Sequence, residues 1–273
     1  MATDRYAVIG HHIGYSRSPR IHRMLAEQCG QAMEYGLIDV APARFAATVR
    51  EFFAGGGRGL NVTVPYKQAA LALAPVLSPR ARRAGALNTL VARADGEVLG
   101  DNTDGTGLLR DLGVNVGCTL RGAQVLLLGA GGAARGVLAP LLEAQPAALV
   151  IYNRDAGRAG ELAAQFADLG PVRAGAVAGT SFDLIVNATS AGAQGELPDV
   201  PASCVGPHTL CYDLAYADTA TPFVRWAREL GAARALMGLG MLVEQAAESF
   251  LLWRGMRPDT APVLAALGAT AAG

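Results

Sequence analysis

Apolar and polar positions along this chain change period repeatedly, from short unbroken apolar runs to spacings of three and four. The run YAVIG from Tyr6 predicts a strand, and Ile21, Met24 and Leu25 form the buried stripe of a helix from Pro19. A strand follows over 35–40, a helix over 43–54, a strand over 60–64 and a helix from Lys67. Such alternation argues for an α/β fold with a mainly parallel sheet. Ser18 before Pro19 is a helix-start signature, a capping hydroxyl ahead of a proline whose missing N–H costs nothing at the first position. After Asn88 the segment TLVARADGEVLG predicts a hairpin with Asp95 and Gly96 in the turn, and DNTDGTG opens a helix.

The second half repeats the rhythm. VLLLGAGGAARG from Val125 breaks from an apolar run into glycines and a small-residue helix start. Strands follow over 148–152, in FDLIVNATS, in TLCYDLAY and around Ala235 and Leu236, with a helix over 221–230. The last long stretch, GLGMLVEQAAESFLLW, is amphipathic at helical spacing: Met241, Leu242, Ala246, Phe250 and Trp253 are apolar, Glu244 and Glu248 polar.

The glycine turn carries chemistry. Gly129, Gly131 and Ala134 fit G-x-G-x-x-A, in which the first glycine permits a tight turn, the second admits a phosphate and the small third residue lets helix and strand pack closely. The helix start then offers unpaired N–H groups and a positive dipole end to an anion. The next strand ends at Asn153 and Arg154, about 20 residues on, where such a fold reads the adenosine ribose. An acid there would repel a 2′-phosphate; Arg154, with Arg158 four residues later, supplies a guanidinium fork for it. This favours NADP over NAD. Asp155 either caps the following helix or weakens phosphate binding.

With 23 basic and 23 acidic side chains, no broad field draws the protein to nucleic acid or anionic lipid, and the expected partner is a small molecule. At 273 residues and 51% apolar composition, two buried cores are expected. MATDRYAVIG has neither the basic segment nor the apolar stretch of a signal peptide, and Gly, Arg or Glu interrupts every run long enough to span a bilayer, so the expectation is a cytoplasmic protein without membrane association. Periodicity leaves monomer and homodimer open. Cys29, Cys118, Cys204 and Cys211 have no C-x-x-C spacing, which encodes neither a zinc site nor a redox pair and points to buried thiols. His11, His12, His22 and His208 have no base partner nearby in sequence and are expected to be structural.

The first half also carries polar residues where strands end. Ser16 and Ser18 flank Arg17 after the first strand, Asn61 and Thr63 interrupt an apolar strand, and Lys67 follows Pro65. Asn88 and Asp104 hold comparable loop positions. In an open α/β sheet, ligands sit beyond the carboxyl ends of strands. A hydroxyl-rich pocket with one ammonium and one carboxylate suits a small polyhydroxylated acid.

Nearly end to end, the chain resembles the shikimate dehydrogenase family. The resemblance rests on S-x-S at 16–18, NVTVPYK at 61–67, GALNT at 85–89, DNTDGTG at 101–107, GAGGAARG, NRDAGR at 153–158, NATS at 187–190, YDLAY at 212–216, TPF at 221–223 and GLGMLVEQAA at 238–247. It implies NADPH-dependent, reversible reduction of 3-dehydroshikimate to shikimate, in the route to aromatic amino acids. Lys67 and Asp104 would be the catalytic pair, with Ser16 and Ser18 on the substrate carboxylate and Thr63, Asn88, Tyr216 and Gln245 around the ring. On the cofactor side it implies Gly129, Ala130, Gly131, Gly132 and Ala133 at the pyrophosphate, Asn153, Arg154 and Arg158 at the adenosine phosphate, and Leu214 and Gly238 near the nicotinamide. Asp155 stands where the family usually has threonine.

The resemblance also implies a substrate-binding and catalytic domain of 1–104 plus 239–273, a Rossmann-like NADP domain of 105–238, C-terminal helices that return to the first domain, and a cleft between the two. The alternatives are a relative that uses NAD or accepts quinate, a non-catalytic sensor of NADP or a shikimate-like ligand and, more remotely, a folate dehydrogenase.

Overall fold

A computed structural model describes residues 3–177, 179–192 and 195–268. The first part of the chain forms β1 (Asp4–Gly10), α1 (Ser18–Gln28), β2 (Met33–Asp39), α2 (Phe45–Ala54), β3 (Gly57–Val62), β4 (Val76–Leu77), α3 (Pro79–Ala84), β5 (Thr89–Ala92), β6 (Val98–Asp101) and α4 (Asp104–Arg110). It continues through β7 (Gln124–Leu128), α5 (Gly132–Glu143), β8 (Ala148–Tyr152), α6 (Ala156–Phe166), β9 (Val172–Ala174), β10 (Leu184–Asn187), β11 (Leu210–Asp213), α7 (Pro222–Glu229), β12 (Arg234–Met237), α8 (Leu239–Arg254) and α9 (Ala261–Ala266). Two compact units result: one runs to Leu108 and resumes at Leu242, the other is Leu109–Met241. Among the described residues no helix is long and apolar enough to cross a membrane.

In the first unit the sheet order is β2-β1-β3-β5-β6-β4, parallel from β2 to β3, with β5 antiparallel to both neighbours. That reversal has a functional consequence: the carboxyl ends of β1, β3 and β6 and the amino end of β5 share one edge. One face is covered by Phe45 and Val49 of α2, packed on Ile9, Leu60, Val62 and Leu90. On α1, Ile21 and Leu25 meet Val243, Ala246 and Phe250 of α8 and Val263 of α9, so the C-terminal helices return to this unit. Trp253 fixes α8 to the sheet by donating its indole N–H to Leu90 O (3.1 Å). Beside it His22 stacks on Tyr35 at 4.0 Å, and burial keeps this imidazole neutral, its pKa pushed down to about 3.

Several local expectations need correction. Ser18 does not cap α1: it already lies in the first turn and is buried, and Ser16 Oγ accepts its backbone N–H (3.3 Å). Lys67 does not begin an α-helix. The residues after it form a 3₁₀ turn, Ala69–Leu73, because Pro75 forces Ala74 into an extended conformation and cuts the helix short. The strand expected to reach residue 64 ends at Val62. Glu244, a polar position of the amphipathic last stretch, is nonetheless 1% exposed, bound by Arg257 (2.7 Å) and Thr260 Oγ1 (2.7 Å).

The second unit's sheet, β12-β11-β10-β7-β8-β9, is parallel throughout, and its order reverses direction between β7 and β10. A doubly wound sheet of this kind presents its ligand crevice at that reversal. Its strands are apolar on both faces, with Leu126, Leu128, Val150, Ile185 and Cys211 in one core with Phe182 and Phe223. Cys204 and Cys211 are buried as expected, whereas Cys29 and Cys118 are only partly so.

Candidate functional site

On the shared edge of the first sheet, ladder hydrogen bonds bring separate loops together. Thr63 N donates to Ile9 O (3.0 Å), Val62 N to Asn88 O (2.7 Å), Asn88 N to Asp101 O (3.1 Å) and Leu87 N to Lys67 O (2.8 Å). Thr63 therefore stands beside the loop after β1; a Cβ on Gly10 would lie 2.7 Å from its methyl carbon, so that glycine is required by close approach.

Lys67 and Asp104 meet. Lys67 Nζ donates to Asp104 Oδ2 at 2.6 Å, with the side chains 14% and 5% exposed. The other carboxylate oxygen accepts from Asn88 Nδ2 (2.9 Å), and the same amide nitrogen lies 3.1 Å from Gln245 Oε1 of α8. Asp104 N donates to Asn102 Oδ1 (3.1 Å), which fixes the first turn of α4. Burial of an ion pair costs several kcal/mol unless further hydrogen bonds serve it, and here the second carboxylate oxygen has Asn88. The arrangement leaves Lys67 two further N–H donors, suited to an oxygen on which negative charge develops.

The structure thus gathers Lys67, Asp104, Asn88 and Gln245, and puts Ser16, Ser18 and Thr63 at neighbouring strand ends of the same unit. Tyr216 belongs to the second unit, in the loop after β11. Thr103 and Ser249, both buried, bond to this group and escaped the sequence reading. Ser249 left one trace, a hydroxyl one turn after Gln245 in a largely apolar helix.

Arg80 supports the group from behind. It grips Asp101 through Nε (2.6 Å) and Nη2 (2.9 Å), and also reaches Thr106 Oγ1 (3.2 Å) and Glu248 Oε1 (3.3 Å). Burial pulls this guanidinium's pKa down, but the bonds from Asp101 and Glu248 outweigh it and hold it above its ordinary value.

In the second unit, β7 ends at Leu128 and Gly129 turns the chain with φ +105°, a conformation open to glycine. Gly131 precedes α5 in extended conformation, and a Cβ added there would meet no atom within 4 Å. The helix start therefore faces open space, as a bound pyrophosphate needs. Ala134 is fully buried, the small third residue the spacing predicts. Gly132 and Ala133 are the first residues of α5, and Ala130 lies between the two turn glycines.

After β8, Asn153 Nδ2 donates to Asp155 O (2.9 Å), while Arg154 and Arg158 are exposed. Asp155 caps α6 by accepting from Arg158 N (3.2 Å), the first of the two roles open to it. Arg135 of α5 adds a guanidinium; burial and then repulsion from Arg158 hold its pKa below the ordinary value. At the far side of the sheet reversal, Asp213 accepts from Asn187 Nδ2 (3.0 Å), Thr221 Oγ1 (2.6 Å) and Ala215 N (3.1 Å), which fixes the loop carrying Leu214. Burial raises the Asp213 pKa despite those bonds. Gly238 is packed under that loop: a Cβ there would meet Leu214 O at 2.6 Å.

Comparison with known proteins gives consistent matches along the chain. The family pattern described as shikimate dehydrogenase substrate binding domain matches residues 8–90, that of shikimate / quinate 5-dehydrogenase residues 112–194, and that of shikimate 5′-dehydrogenase C-terminal domain residues 238–267. A shikimate dehydrogenase (NADP(+)) of Methylococcus capsulatus is 57% identical over 269 residues, covering 97% of this chain and 96% of its own. The crystal structure of an Ael1 enzyme from Pseudomonas putida matches with TM-score 0.88 and 48% identity over 97% of this chain and 98% of that one. A Thermus thermophilus shikimate 5-dehydrogenase, solved in complex with NADP(H) and shikimate, matches with TM-score 0.87 and 34% identity over 98% and 99%.

Proposed function

The chain belongs to the shikimate dehydrogenase family, and from that membership we propose that it reduces 3-dehydroshikimate reversibly to shikimate with NADPH, using Lys67 and Asp104 as its catalytic pair. The observation that carries the assignment of the pair is the 2.6 Å contact between their side chains at the edge where the strand ends converge. We assign substrate binding to the first unit and NADP binding to the second.

When bound, NADPH supplies the hydride. The chain's own task is to manage the charge and proton that hydride addition demands at the ketone oxygen. Lys67 would donate a hydrogen bond to that oxygen, stabilise it chiefly by its charge as it becomes an oxyanion, and pass it the proton that completes the hydroxyl, regaining one from solvent. Asp104, held on one oxygen by Asn88 and on the other by Lys67, would orient both the ammonium and the reacting hydroxyl. Ser16 and Ser18 supply neutral donors for the substrate carboxylate, an arrangement that works because several donors share one anion. Thr63, Asn88 and Gln245, all of the first unit, would contact the ring hydroxyls.

The open space at Gly131 and the exposed Arg154 and Arg158 support the cofactor reading, the first for the pyrophosphate and the second for the 2′-phosphate. Gly131→Val is expected to raise the KM for NADPH by about tenfold or more, because its side chain would occupy the phosphate's place at the helix start. The same variant should stay folded, losing only the modest stability of a poorer helix cap, since a Cβ there meets no atom within 4 Å. An unchanged KM would remove the pyrophosphate from this turn.

Steady-state rates with shikimate and quinate, each with NADP and with NAD, test the function as a whole. Preference for shikimate and NADP is expected. An NAD preference would overturn the role given to Arg154 and Arg158, and failure to oxidise either acid would favour a sensor.

A further inference from the structure

We infer that Ser249 is a positioning residue for this reaction: from the middle of α8 it sets the direction of a buried hydroxyl relay that keeps the Asn88 carboxamide N–H on Asp104. The inference rests on the catalytic reading of Lys67 and Asp104.

Ser249 is 0% exposed and lies on the helix between Ala246 and Phe250, which pack in the apolar layer against α1. Serine is a poorer helix former than alanine, and a buried hydroxyl is costly unless it is bonded. Here Ser249 Oγ has four partners. It bonds to Gln245 O (3.1 Å), Asn61 Nδ2 (2.9 Å), Thr89 Oγ1 (3.0 Å) and Thr103 Oγ1 (3.2 Å).

Donor accounting gives the relay its sense. The Gln245 carbonyl has no proton to offer, so Ser249 donates there, one turn back along its own helix. Its oxygen can then only accept. Asn61 Nδ2 supplies one proton, and a hydroxyl supplies the other. Thr89 and Thr103 can each donate to Ser249 or to Asn88 Oδ1; Thr89 reaches Asn88 Oδ1 more closely (2.9 against 3.2 Å), so the arrangement that serves both acceptors best gives Thr89 to Asn88 and Thr103 to Ser249.

With its proton directed away, Thr103 Oγ1 presents a lone pair to Asn88 Nδ2 (2.8 Å), and the second N–H of that amide goes to Asp104 Oδ1 (2.9 Å). Thr103 N on Asn88 Oδ1 (2.8 Å) completes the orientation. Without Ser249 the Thr103 proton must turn toward Asn88 Oδ1 (3.2 Å) or Gln245 Oε1 (3.3 Å), both of which belong to the group around Asp104.

The test uses full-length enzyme with Ser249→Ala, Ser249→Cys, Thr103→Val and the Ser249→Ala/Thr103→Val double variant. Ser249→Ala is expected to lower kcat by about 3- to 10-fold with less than about a twofold change in the KM for shikimate, the pattern of a misoriented catalytic group. Ser249→Cys, which keeps the volume and offers a weaker acceptor, should fall between it and the parent. If Ser249 acts through Thr103, the double variant should be no slower than Thr103→Val alone. A Ser249→Ala enzyme with parental kcat, or losses that multiply in the double variant, would overturn the inference. Should Lys67→Ala retain turnover, the parent reading fails instead; a Lys67→Ala enzyme without turnover beside a normal Ser249→Ala enzyme condemns the relay alone.

Discussion

Lys67→Ala is expected to lower kcat by about 10² to 10⁴-fold, the range for losing one acid or oxyanion-stabilising group. The KM for shikimate should change far less, because the hydroxyl and amide donors proposed to hold the ground state, Ser16, Ser18, Thr63 and Asn88, are untouched. The reason lies in when the interaction matters. A ketone oxygen is a weak acceptor, and the oxyanion formed by hydride addition is a strong one, so an ammonium at that oxygen contributes mainly in the transition state. Lys67 is suited to that task by its 2.6 Å contact with Asp104, which holds Nζ in place before substrate arrives. Steady-state kinetics in both directions check the expectation, and kcat within a few-fold of the parent would remove Lys67 from the chemistry.

Arg80→Met should destabilise the first unit by about 2 kcal/mol, below the range for breaking a fully buried ion pair, since the Arg80 side chain is 34% exposed and Ser78 Oγ and Asn102 N continue to serve the Asp101 carboxylate. Asp101 is 3% exposed, and the methionine would leave it charged without its two-pronged guanidinium. A loss of that size should lower the unfolding temperature by roughly 4 to 8 °C for a unit of this length. Activity should fall as well, because Asp101 opens the segment that ends in Asp104. The double variant Arg80→Met/Asp101→Asn should recover a large part of the lost stability, as the charge that made the loss costly is gone. Equal unfolding temperatures for the single and double variants would show that Arg80 acts by packing and not by charge.

Much of this was legible in the sequence, for reasons that differ by element. The strand and helix alternation and the glycine turn are local: an apolar run, a positive-φ glycine and a small residue at fixed spacing leave few backbone solutions, and β7, Gly129 and α5 form as expected. The Asp95–Gly96 hairpin is equally local, with Gly96 at φ +85° between β5 and β6. Where a neighbour outside the window decides, the reading fails. Lys67 preceded a helix by pattern, but Pro75 limits the segment to a 3₁₀ turn. That Glu244 and Glu248 are paired was not legible either, because their partners, Arg257 and Arg80, lie elsewhere in the chain.

The candidate site divides along the same line. Lys67, Asn88, Asp104 and Gln245 could be named because their motifs resemble a family, yet no periodicity shows that they meet. The relay behind them is less visible still: Thr103 and Ser249 are 146 residues apart, and each alone reads as an ordinary small polar residue.

The central claim is that Lys67 and Asp104 act as one unit at one oxygen, and a kinetic double-mutant cycle on kcat measures this directly. If they do, Lys67→Ala/Asp104→Ala should be scarcely slower than the slower of the two single variants, because removing either partner already disables the pair. Losses that multiply across the double variant would show two residues working independently and would contradict the account.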